Sequence, residues 1–135
     1  MASGLFDSGR NDFAKGATSW KAAAGSTIKC ALIDTGVTAP NLATHTVMTS
    51  LRGAVVGSDM AMTLIDPAAG VVDANDVVFS AVSGAHVEGV VIWREDAGAD
   101  ASRFLIAWEE FTAVTPNGGD ITIQWDSGAN KIFKL

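Results

Sequence analysis

Apolar and polar residues alternate in short runs along most of this chain, with turn residues between the runs. The clearest run is Thr115 to Leu135, TPNGGDITIQWDSGANKIFKL. Pro116-Asn117-Gly118-Gly119 is a turn cluster, because proline presets φ and glycine tolerates positive φ. Asp120 to Trp125 then alternates with a period of two, the pattern of a strand with one buried face. Asp126 to Asn130 reads as a second turn, and Lys131 to Leu135 as a returning strand, so the stretch predicts a hairpin closing a β fold. An apolar residue at the end of a strand pattern predicts that this strand is tied into a sheet.

Further strands follow from the same rule. Thr27 to Asp34 places Ile28, Cys30 and Leu32 on one face. After the turn-rich loop Gly36 to Thr44, His45 to Leu51 reads as a short strand. Ala54 to Ile65 reads as another, with Met60 and Met62 on one face, broken by Asp66-Pro67-Ala68-Ala69-Gly70. Asp76 to Val82 places Val77, Phe79 and Ala81 together, and Val87 to Arg94 and Arg103 to Glu109 flank the loop Asp96 to Ser102. About seven or eight strands at a cadence near ten residues predict an all-β fold, an antiparallel sandwich or small barrel. No alternating βα pattern or internal repeat is present.

Two of these strands depart from simple alternation. Val87 to Trp93 and Arg103 to Trp108 carry apolar residues on both parities. An antiparallel strand with one wet face should alternate apolar-in and polar-out. Two readings follow. Either the N-terminal helix or a long loop covers the second face, or that face is a subunit interface. On the second reading the interface comprises Val91, Trp93, Leu105 and Ala107, since aromatic anchors dominate interface energetics.

One helix is predicted, over about residues 4–15. Leu5, Phe6 and Phe13 share a helical face, and Gly16 after Lys15 supplies a stop. Gly9 is a weak point inside it. Trp20 follows in the linker ATSWKAAAGS.

With 135 residues the chain predicts a single domain, residues 1–135, large enough to bury a core without staples. Only 18% of the residues are charged, low for a soluble monomer, which points to a surface covered by other protein. The net charge of -6 and the scatter of the nine basic residues disfavour nucleic acid and anionic membranes as partners. A single cysteine, Cys30, excludes an internal disulfide and reads as a small buried hydrophobe. Neither a secretory signal in MASGLFDSGRNDF nor an apolar run long enough to span a membrane is found, which predicts synthesis in a cytosol.

Candidate chemistry is sparse. His45 and His86 are isolated and read as loop or strand-end residues. Ser83-Gly84-Ala85-His86 lacks a nucleophile elbow. Asp73-Ala74-Asn75-Asp76 lacks the glycine and terminal glutamate of a calcium loop and reads as a polar turn. Glu109 and Glu110 are strand neighbours on opposite faces, so they do not converge on a substrate. No catalytic residue, metal ligand or cofactor is predicted, and the chain is not expected to be an enzyme.

The N-terminal helix followed by IKCALIDTG, then PNLATH, then TPNGGDITIQWDSGANKIFKL resembles a family of small virion structural proteins of tailed bacteriophages. The likeness spans Leu5 to Leu135 and is strongest in Ile28 to His45 and Pro116 to Leu135. It implies a capsid decoration, or cement, protein on the virion capsid surface, made in the host cytoplasm, whose partners are the major capsid protein and further copies of itself. A homotrimer on a three-fold site fits closed symmetry. The segments expected to reach the shell carry Leu5, Phe6 and Phe13 on the helix, and Val37, Asn41 and Leu42 on the loop after the first strand. A tail fibre, spike or adaptor domain is the alternative within the same biology. A carbohydrate-binding sandwich using Trp20, Trp93 or Trp108 as stacking platforms is the alternative outside it.

Overall fold

A computed structural model describes residues 3–22, 27–125, 128 and 131–135. Among the described residues the chain is all-β, with three antiparallel sheets and a single α-helix near the N-terminus. In chain order the elements are β1 (Gly4–Leu5), α1 (Asp7–Ala14), β2 (Ile28–Ile33), β3 (Val55–Ala61), β4 (Leu64–Ala68), β5 (Val71–Ala74), β6 (Val77–Phe79), β7 (Val87–Glu95), β8 (Arg103–Val114), β9 (Ile121–Ile123) and β10 (Phe133–Lys134). Short 3₁₀ turns cover Met48–Ser50, Arg52–Ala54 and Asp100–Ser102.

The main sheet has the order β1-β8-β7-β2-β3. Its middle strands alternate between two cores. Ile28, Cys30 and Leu32 of β2 enter the larger core, while Ala31 and Ile33 enter a second core behind the sheet. The larger core is closed by two small sheets, β10-β5-β4 and β6-β9, which contribute Leu64, Val72, Phe133, Val77, Phe79 and Ile123. The central sheet is therefore dry on both faces, which is why β7 and β8 are apolar on both parities.

The second core settles which covering is used. Val91, Trp93 and Leu105 are fully buried within one chain, beneath Phe6, Met48, Leu51 and Ala54. Ala107 is fully buried on the opposite face, in the larger core. The expected subunit interface at these four residues is thus corrected to interior packing. The cover is the segment Val47 to Ala54, where a strand over His45 to Leu51 was expected. Only Val47 makes a bridge, to Phe104, and the chain then coils into two 3₁₀ turns. Met48, Leu51 and Ala54 recur every third residue, the period at which 3₁₀ side chains eclipse, so all three point down.

The C-terminal stretch is also corrected. Its turn Asp126 to Asn130 lies, apart from Gly128, outside the described residues, but its two strands do not pair with each other. β9 pairs with β6, through Val77↔Ile123 and Phe79↔Ile121, and β10 pairs with β5, through Phe133↔Val72. Each closes a different small sheet. Asp73 and Ala74, expected in a polar turn, instead end β5, which forms because the two-residue turn Ala69-Gly70, both at positive φ, folds it back on β4. Pro67 sits inside β4 rather than ending it. The strand is the edge of its sheet, where a missing N–H is tolerated.

The helix is shorter than expected at its start, because Gly4 and Leu5 pair with Trp108 and Ala107 at the sheet edge. Gly9 has a packing reason. A Cβ there would lie 2.7 Å from the Ile106 carbonyl oxygen and 3.0 Å from that of Leu105, so only glycine lets α1 rest on β8. Gly16, at φ 78°, ends the helix as its sequence position predicts.

Candidate docking surface

Six charged residues build one structural network. Lys29, Glu95, Arg103, Asp100, Arg52 and Asp59 form one continuous chain of ion pairs across the ends of β2, β7, β8 and β3. Lys29 Nζ lies 2.7 Å from Glu95 Oε2, and Arg103 Nε donates to Glu95 Oε1 at 2.6 Å. Arg103 Nη1 donates to Asp100 Oδ1 at 2.6 Å, and Arg52 forks between Asp100 and Asp59. Three cations meet three carboxylates, so the chain is neutral. The Lys29 hydrogen bond, then that from Arg103, holds Glu95 below its ordinary value; Arg52, then Arg103, does the same for Asp100. Arg52 also lies 6.0 Å above the Trp93 ring, roofing the second core.

Two titratable groups are raised by burial. The Cys30 thiol is pushed up to about 12 by desolvation and by the Asp59 charge, which leaves it a packing residue. Glu109, half-buried on β8, is raised to about 7 by desolvation, against a hydrogen bond from Ser3. Glu110 points the other way and is exposed, its N–H donating to Ser3 Oγ at 2.8 Å. The two histidines have local roles: His45 Nδ1 accepts the Asn41 N–H, and His86 Nδ1 meets Thr115 Oγ1 at 2.9 Å. Among the described residues no group of three His, Cys, Asp or Glu is placed to hold a metal ion, and no helix is long and apolar enough to cross a membrane.

The three tryptophans expected as stacking platforms are interior residues. Trp20, Trp93 and Trp108 are all buried, and Trp20 donates its indole N–H to the Asp73 carbonyl at 2.9 Å while packing edge-on against Phe133. The carbohydrate reading loses its three stacking rings.

Of the residues expected to reach a partner, the structure divides the set. Phe6 is fully buried in the second core, which removes it as a contact residue, while Leu42 is half-buried against the same core and Leu5, 6% exposed, belongs to the larger core. Val37, 60% exposed, and Asn41 stand on the loop after β2, which is braced by Asp34 and by the Asn41 side chain. Leu5 and Phe13 come together in a groove between α1 and β10. This groove, of about 420 Å³, is lined by Leu5, Arg10, Phe13, Ala14, Lys134 and Leu135. Its floor is apolar, Leu135 being 58% exposed on one wall. Sequence reading missed Arg10, Lys134 and Leu135, because nothing local connects residue 10 with residue 134.

A second groove, of about 440 Å³, runs between the end of β8 and β9, lined by Phe111, Thr112, Val114, Ile121, Thr122, Ile123 and Gln124. Here β8 overhangs β1, which pairs only at Trp108 and Ala107, and Val114 is 39% exposed. Both grooves open onto the surface. No known protein-family model matches the chain, and no curated protein matches it.

Proposed function

We propose that this protein is a capsid decoration protein of a tailed bacteriophage, which binds the outer face of the shell and stabilises contacts between major capsid subunits. The observation that carries the reading is the groove between α1 and β10. It joins Leu5 and Phe13 of the segment expected to meet the shell to the C-terminal strand, on a domain whose cores are otherwise closed. An external position also suits a chain of net charge -6, which packaged nucleic acid would repel. A repeated, individually weak contact gains strength when copies are linked, and a homotrimer supplies that avidity. With Val91, Trp93, Leu105 and Ala107 in the interior, self-association falls to the β8–β9 groove around Val114.

Quantitative mass spectrometry of purified virions tests the reading. A molar ratio to the major capsid protein near one, or a simple small fraction of it, is expected. A far smaller ratio would move the protein to the tail, and absence from the particle would remove it from the virion altogether.

A further inference from the structure

Six of the nine basic residues are held in ion pairs: Lys15, Lys29, Arg52, Arg94, Arg103 and Lys131. Arg10, Lys21 and Lys134 have no ion-pair partner among the described residues, in a chain that carries 15 carboxylate side chains. Two of these three cations, Arg10 and Lys134, line the same groove, whose other lining residues, Leu5, Phe13, Ala14 and Leu135, are apolar.

That pairing of an apolar floor with two uncommitted cations, on a molecule negative elsewhere, selects a ligand of opposite character. We infer that the α1–β10 groove docks an acidic polypeptide segment, with an apolar side chain seated between Phe13 and Leu135 and flanking carboxylates on Arg10 and Lys134. An arginine fork and a lysine point charge both donate hydrogen bonds to carboxylates, and burial of the apolar side chain beside them supplies most of the affinity. The local positive charge also steers an acidic segment to this face while the rest of the surface repels it. The inference deepens the docking reading and rests on it only for the source of the segment, a shell subunit.

The test uses the full chain, isotopically labelled, titrated with a short blocked peptide of alternating glutamate and leucine and followed by NMR. Saturable shifts at Leu5, Phe13, Ala14 and Leu135 are expected, weakening as salt rises. Arg10→Gln with Lys134→Gln should weaken binding by about tenfold without altering the melting temperature, since both side chains are exposed and unpaired. The lysine–leucine counterpart should not bind. Equal binding of that counterpart, or no shift in the groove with the acidic peptide, would overturn the proposal. Shifts with sodium dodecanoate but not with the peptide would overturn it in favour of an anionic amphiphile. Purified shells supply a second readout: the double variant should bind them more weakly than the parent chain, and equal binding would exclude this groove as the shell contact. Failure of the virion copy-number measurement would leave the peptide titration standing, so the two readings fail separately.

Discussion

Glu109 shows how a single residue departs from the rule its neighbours follow. It sits on β8 between Trp108 and Glu110 and pairs across to Val90, directly after the buried stretch Leu105 to Trp108. Desolvation raises its carboxyl to about 7, so the folded chain binds a proton that the unfolded chain releases at ordinary carboxylate pH. The sign is therefore destabilising as pH rises: between about 4.5 and 7 this group removes stability, and below that window it removes none. Glu109→Gln keeps the shape without the charge. It is expected to raise stability at pH 8 by about 1 kcal/mol and to flatten the decline across that window, as read by urea denaturation at several pH values. Gly89, like Gly9, has its identity dictated by contact, since a Cβ there would overlap the Trp108 ring and lie 2.6 Å from the Glu109 carbonyl. Neither fact is visible locally, because each depends on which strand lies alongside.

Among the elements, β7 and β8 decide the most. Their double-sided apolar pattern was legible in the sequence, but it fitted an interface and an interior equally well. The 3₁₀ cover over Val47 to Ala54 makes it an interior. A signal for that cover did exist, in the three-residue spacing of Met48, Leu51 and Ala54, but it competes with a β reading in so short a run. Trp93→Ala is consequently expected to destabilise the isolated chain by about 3–5 kcal/mol, the cost of emptying a fully buried aromatic site. Calorimetry or urea denaturation checks it, and a stability loss below about 1 kcal/mol would be inconsistent with the closed second core. The strands β9 and β10 teach the converse lesson. Alternation and turn residues place each closely, yet the hairpin that adjacency in sequence favours does not form, because each strand closes a different small sheet.

For the whole molecule, the closed cores restrict where contacts with other copies can form. Among the described residues the exposed large apolar side chains are Val37, Ile65, Val78, Val114 and Leu135. If copies associate through the β8–β9 groove, Val114→Lys should lower the native mass measured by light scattering while changing chain stability by less than about 0.5 kcal/mol, as for a surface substitution. An unchanged mass in a protein that does self-associate would move the interface elsewhere.

By itself the sequence determined the fold class, the single short helix and its glycine stop, the positions of most strands, and the burial of Cys30. These follow from local periodicity and backbone preference, which act over a few residues. Tertiary structure alone decided the partners of β9 and β10, the fate of the two-faced strands, the burial of Trp20, Trp93 and Trp108, and the meeting of Arg10 with Lys134 along one groove. Those outcomes depend on which segments the loops bring together. Burial and charge pairing are properties of that assembled neighbourhood, and a residue's own stretch of chain does not contain them.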